Sequence, residues 1–347
     1  MEKENKHNDL TNKLLALLLI VTVIVNGIQY YYFKGYERYD WIGSVISTEG
    51  NIIQVSDCNF KGYSGDIDKN MILNNGWDKT NEPENKTTNT FFPDSLSLKW
   101  FSYSEQKFYS GNFALPKETI QSKAIQMGMY PSIKNDYETD RVLHFIAEIQ
   151  PKGKLAVWIQ KFNKNDNDKK IKIGTYQATE ISATWHIFDD RSESDVNSDI
   201  DISRKVALVL EQHCYKVEIK LPDGYTLRNS SFEFFNQKTW YFRENDSKEI
   251  PVFNFLPKEF DLEWGNGKKK FRTQFSFDEN EVLDNFSKDN NGDISELPIL
   301  ELVVSDYNND IKAMLKNTKT NSKVKLIDKY RSNTQSCIIS LAGPYND

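Results

Sequence analysis

Cysteine is scarce: Cys58, Cys214 and Cys337 are the only three in 347 residues, too few and too scattered for a disulfide framework. One bridge would leave an odd thiol, so buried free thiols are the favoured reading. Histidine is equally thin, with His7, His144, His186 and His213 alone. They form no His-x-x-x-His pair, and no paired cysteines accompany them, so a zinc site is not expected. His7 lies on the far side of the apolar run from the globular part, and His144, His186 and His213 read as core or rim residues. His186 with Asp189 or Asp190 could orient a serine, but no Gly-x-Ser-x-Gly elbow supplies one. Gly265-Asn266-Gly267 lacks the third glycine of a phosphate loop and reads as a hairpin turn. Excess positive charge is also missing. A net charge of -6 and a pI near 5.5 exclude a global basic field for nucleic acid. No catalytic, cofactor-binding or metal-ligating residue is assigned, and no cofactor is implied.

Acidic residues do cluster, in two places. Asp195, Asn197, Asp199 and Asp201 alternate, as do Asp289, Asn291 and Asp293, the spacing of oxygen ligands in a calcium loop. Their sixth positions are Ile200 and Ile294 where an EF-hand needs glycine, and neither has the bidentate Glu at the twelfth. Both read as solvated connector. Lys268, Lys269, Lys270 and Arg272 form the one dense basic cluster, best read as a solvated turn. Trp77, Trp100, Trp158, Trp185, Trp240 and Trp264 are spread over the chain; in strands such rings mostly pack cores.

Long apolar runs are limited to one. Residues 14–33, LLALLLIVTVIVNGIQYYYF, carry no charge and have the length a helix needs to cross a bilayer. Tyr30, Tyr31, Tyr32 and Phe33 follow at once where a signal peptide would place small residues at its cut, so a retained signal-anchor is expected over cleavage. The short head, residues 1–13, would stay cytoplasmic and the bulk would be extracytoplasmic, making a single-pass membrane protein. Lys3, Lys6 and Lys13 before the run against Lys34 and Arg38 after it give that orientation only a small basic bias.

Beyond the run, apolar residues alternate with polar ones in short bursts, the period of half-buried strands. Segments 44–55, 95–102, 107–113, 142–149, 154–162 and 170–175 read this way. So do 217–221, 239–242, 260–264, 270–277, 297–304 and 323–326. Helix is expected over 117–129, opened by Pro116, over 279–287, and more weakly over 309–315. Landmarks recur in order: Pro93-to-Trp100 with Pro257-to-Trp264, Lys107-Phe108 with Lys270-Phe271, Phe60 with Phe234, and Lys170-to-Ile173 with Lys323-to-Leu326. A duplicated domain follows: 39–188, an acidic linker 189–203, and a diverged repeat 204–347. The expected fold is α+β, mostly antiparallel sheet with one helix per repeat after a transmembrane helix; tandem β-sandwiches are the alternative.

These landmarks resemble an uncharacterised bacterial family of lipoproteins and membrane-anchored proteins, domain-of-unknown-function family 2931. Tyr39-Asp40-Trp41, Leu96-to-Trp100 with Phe101-Ser102-Tyr103-Ser104-Glu105, Ala156-Val157-Trp158-Ile159 and Ile173-Gly174-Thr175-Tyr176-Gln177 carry the resemblance. Leu221-Pro222-Asp223-Gly224-Tyr225 and Leu256-to-Trp264 extend it, without a counterpart of Val157-Trp158. The resemblance implies membrane attachment outside the cytoplasm and brings no catalytic residues. This chain departs from the lipoprotein members by lacking a cysteine near the end of its apolar run. The expected role is a non-enzymatic, membrane-tethered binding or structural module for a protein or envelope polymer. An envelope hydrolase with paired carboxylates, and an immunity-type or scaffold protein, are the alternatives. No nucleic-acid partner is expected.

Overall fold

The computed structural model describes residues 2–32, 38–62, 67, 70–74, 76–77, 87–129, 142–162, 170–188, 201–244, 250–286, 297–330 and 339–341. The N-terminal helix α1 (Glu2–Tyr32) contains an 18-residue apolar window, Asn12–Gln29, none of it covered by the rest of the chain. By length and composition that window could cross a membrane.

Alternating apolar residues cannot bury one face alone, so the strands assemble into two pairs of facing sheets. In the first half, one sheet runs β4 (Thr87–Phe91), β1 (Arg38–Ser47), β7 (Val142–Gln150), β8 (Lys154–Phe162), β9 (Ile171–Gln177). Its partner runs β10 (Thr179–Ile181), β6 (Lys107–Ala114), β5 (Ser95–Ser102), β2 (Ile53–Phe60), β3 (Ile72–Leu73). Trp41, Phe145 and Val157 from one sheet meet Phe60, Leu98 and Trp100 from the other in a single core. Helix α2 (Lys117–Gln126) adds Ile120 and Ala124 to it. The arrangement fits the sandwich alternative, with a parallel β1–β7 pair inside an otherwise antiparallel sheet.

The second half has the same strand order. Its sheets run β14 (Phe253–Phe255), β11 (Gln212–Lys220), β17 (Ile299–Val304), β18 (Ile311–Lys316), β19 (Lys323–Leu326), and β13 (Thr239–Arg243), β12 (Thr226–Phe234), β15 (Pro257–Gly265), β16 (Lys270–Ser276), β20 (Ile339–Leu341). Again one pair, β11–β17, is parallel. Helix α4 (Glu279–Phe286) follows β16 as α2 follows β6. Finer details coincide. Val55 faces Trp100 next to a register shift between Val55 and Asp57, and Leu227 faces Trp264 next to a shift between Leu227 and Asn229. Trp41 Nε1 donates to the Phe91 carbonyl at 3.1 Å, and Tyr215 Oη donates to the Phe255 carbonyl at 3.0 Å.

Register also corrects two matched landmarks. Phe60 lies opposite Leu96 and Phe232 opposite Phe260, so Phe232, not Phe234, corresponds to Phe60. Trp100 faces Tyr109 and Trp264 faces Phe271, because the turn after Trp100 is longer, which displaces the Lys-Phe match by one residue.

Strands β3, β4, β10, β12, β14 and β20 are unforeseen, β4 beginning inside a stretch, 78–89, that reads as loop, and three further segments differ from expectation. Segment 44–55 is two strands, parted by a turn in which Gly50 takes φ 78° and Asn51 N donates to Thr48 O. That left-handed position suits glycine, which has no Cβ to clash. Residues 309–315 are not helix: 309 and 310 precede β18 and 311–315 lie within it, with Ile311, Ala313 and Leu315 alternating into the core. An unforeseen helix, α3 (Ile202–Leu210), emerges from the acidic connector. Asp201 caps it by accepting from Ser203 N at 2.8 Å.

Candidate functional site

Helix α3 builds a junction at which the two sandwiches line a cavity. Its helical spacing turns Val206 and Val209 toward Phe101, Tyr103, Phe108 and Trp185, an apolar cluster on the outside of the first half's β5–β6 sheet. Leu208 instead joins the core of the second half. Arg204 bonds Asp284 at 2.8 Å and Lys205 ion-pairs with Glu279, both carboxylates lying on α4. Asn74 Nδ2 donates to Asn236 O at 3.3 Å, a direct link from one half to the other. The helix is therefore fastened to both sandwiches.

The cavity beside it measures about 360 Å³, within the usual range for small-molecule sites. Its polar wall comes from Gln54 and Asn70 of the first half, Lys205 of α3, and Gln237, Lys258 and Glu279 of the second. Its apolar wall includes Met71, Trp185, Leu208 and Phe235. Tyr103 Oη donates to Gln54 Oε1 at 2.6 Å. Burial, with a smaller contribution from the Glu279 charge, pushes that phenol well above its ordinary range, so it stays protonated. Burial would raise the Glu279 carboxyl, but its bond to Lys205 and the charges of Lys205 and Lys329 together bring it below the usual value. Among the described residues of this lining Glu279 is the only carboxylate, and it is already engaged by two lysines.

The residues weighed from sequence lie elsewhere, with few exceptions. His144 is buried on β7, with Ser44 Oγ at 2.7 Å from Nε2 and Gln160 Nε2 at 3.3 Å from Nδ1. Desolvation lowers it to about 3, so the ring is neutral at physiological pH. His213 is buried against Phe286 with Nε2 at 2.9 Å from Glu211, and His186 pairs with Thr184. Cys58 is buried as expected, but Cys214 is exposed, because β11 turns it away from the core between inward-facing His213 and Tyr215. Cys337 and the alternating acids 195–199 and 289–293 lie outside the described residues. Among the described residues no three His, Cys, Asp or Glu side chains group as metal ligands. Gly265-Asn266-Gly267 is the β15–β16 turn, with Asn266 Oδ1 accepting from Lys268 N and Lys269 N. In its basic cluster, Lys270 pairs with Glu263 at 2.6 Å and Arg272 pairs with Asp261.

The tryptophans divide by use. Trp100 and Trp264 are core residues, stacked on Tyr109 and Phe271 at 5.3 and 5.8 Å. Trp185 is the one that reaches the cavity. Trp77 and Trp158 meet edge to face at 5.5 Å and both donate to Glu148, at 3.1 and 2.9 Å. Lys170 and Lys172 lie over their rings. This cluster clamps the Gly76–Trp77 turn onto the first sandwich. Glu148→Ala would leave two indole N–H groups without their acceptor, at a cost of roughly 1–3 kcal/mol each where water cannot replace it. The expected result is a clearly lower denaturation midpoint; an unaltered one would show that the clamp contributes nothing to folding.

The cavity itself had no short motif. Its residues come from separated segments, and only the helical patterns at Glu279 and, in retrospect, at Asp201 with Ile202, Val206 and Val209 pointed near it. In comparison with known proteins, residues 28–225 match the family described as Protein of unknown function (DUF2931). That stretch runs from α1 through the first sandwich to the turn after β11. No curated protein and no solved structure matches the chain.

Proposed function

The chain belongs to the DUF2931 family of proteins of unknown function, and from that premise we propose a membrane-tethered, extracytoplasmic binding protein that seats its ligand between two copies of one domain. The observation that carries this reading is the cavity at the α3 junction, which offers amides, an indole and lysines around a single ion-paired carboxylate. Such groups hold a ligand by hydrogen bonds and apolar contact. Hydrolysis by paired carboxylates needs a second, facing acid, and the described lining residues include none. The shared strand order, the matched register shifts and the paired bonds of Trp41 and Tyr215 support duplication, with the second copy diverged. The uncovered apolar window of α1 supports a lipid-embedded anchor, and the tyrosines that end the helix support export of the bulk.

Two measurements test the reading. Alkaline phosphatase fused to the C-terminus should be active; a dead fusion beside a fluorescent cytoplasmic reporter would reverse the topology. The detergent-solubilised full chain should show a raised unfolding midpoint with some member of a panel of envelope saccharides and peptides. Gln237→Gly combined with Lys258→Gln should abolish that shift, since Gln237 sits at φ 63° where glycine is at least as well tolerated. A ligand that is turned over, or whose shift survives the double substitution, would refute binding in this cavity.

A further inference from the structure

Strand direction separates the two ends of the first sandwich, and the end joined to α1 carries its own surface. Arg38 opens β1 and lies opposite Phe91 at the end of β4; Asp40 lies opposite Val142, and Val142 opposite Phe162. In the facing sheet Phe60 and Leu96 mark the same end, and Lys61 N bonds Ser95 O. Lys117, at the start of α2, closes it. At this end Phe91 is exposed, with the Arg38 guanidinium 5.3 Å and the Lys117 ammonium 5.5 Å from its ring centroid. Gln54 and Tyr103, which reach the ligand cavity, lie toward the opposite end of β2 and beyond β5.

Only five residues, 33–37, separate α1 from β1. Fully extended they reach roughly 20 Å, so an embedded α1 keeps this end close to the bilayer. An aromatic ring between two cations is the combination that partitions into headgroups, the ring among the upper acyl carbons and the cations on phosphates. We infer that Phe91, Arg38 and Lys117 form a membrane-resting foot that docks the first sandwich on an anionic phospholipid surface and points the cavity away from it. The inference rests on the anchor reading of α1. Asp40, Glu118 and the Asp94–Lys61 pair at 3.1 Å share this end, so the attraction is local to the ring and its two cations rather than a broad basic field.

The test uses the full chain in nanodiscs, with Phe91→Cys carrying an environment-sensitive nitrobenzoxadiazole label in a Cys214→Ser, Cys337→Ser background. Cys58 is buried and stays. In discs containing phosphatidylglycerol the label should emit to the blue and be quenched by acyl-chain bromines. The same label at Tyr241, exposed in the second half, should do neither. Arg38→Gln with Lys117→Gln should reduce the quenching at position 91 at least twofold. A label at 91 that behaves like the one at 241 while the chain co-elutes with discs would overturn the foot alone. A chain that does not co-elute would overturn the anchor and the foot together.

Discussion

Trp264→Ala should lower the stability of the second sandwich by about 3–5 kcal/mol, and Trp100→Ala should do the same to the first. Both rings are fully buried, and each shares its strand face with the core residues two and four positions back, Leu98 and Leu96 or Leu262 and Phe260. Truncation removes a stacked partner from Tyr109 or Phe271 and leaves a cavity that the two sheets cannot close. Trp264 carries an added cost. Its Nε1 donates to Asn308 Oδ1 at 2.6 Å, and Asn308 is itself buried, so the alanine variant strands an acceptor. Trp264→Ala is therefore expected to be the worse of the two by about 1 kcal/mol. The residues belong to separate cores, so the double variant should be additive within about 0.5 kcal/mol. Denaturant titration of the solubilised chain, followed by near-ultraviolet circular dichroism, measures this. An unchanged midpoint together with lost ligand binding would make these rings a binding platform instead of scaffold.

The sandwiches were legible where burial is one-sided. Alternation located β5 at its observed bounds, because a strand with one buried face writes period two into the sequence, and the bounds of β8 and β19 were found as well. The helices after Pro116 and at Glu279 were visible for the corresponding reason at period 3.6. Strand β7 was legible too, although both its faces are buried, since its apolar run is bounded and of strand length. Failure came where a signal was short or shared. The turn at Gly50 was hidden inside a continuous apolar stretch, and in β18 a six-residue alternation was read as part of a helical turn. Helix α3 is nine residues long and was masked by the acidic run before it, although Asp201 and the spacing of Ile202, Val206 and Val209 mark its start and face. The cavity was invisible for a deeper reason. Gln54, Lys205 and Gln237 are ordinary polar residues until the packing of the two sandwiches around α3 brings them together.

Acid should destabilise the first sandwich through His144 before the carboxylates titrate. Burial on β7 depresses its pKa to about 3 in the folded protein, against about 6.5 in an unfolded chain. Between those values the unfolded state binds a proton that the folded state refuses, so stability is complete above pH 6.5 and falls as the pH drops toward 3. Each unit is worth about 1.4 kcal/mol, which gives a loss of about 2 kcal/mol between pH 6.5 and 5. Glu279 and Glu301, held below their ordinary range by lysine partners, keep their charge over this interval and lose their stabilisation only at lower pH. Neutral His144 is held between Ser44 and Gln160; protonation would place an ion in the same desolvated spot, on the face of β7 that also carries buried Glu148. His144→Gln keeps a polar side chain there without a titrating proton. It should lower stability at pH 7 yet flatten the dependence between pH 6.5 and 5 by most of those 2 kcal/mol. Equal slopes in the two proteins, measured by denaturant titration at each pH, would mean that His144 is not the group through which acid first acts.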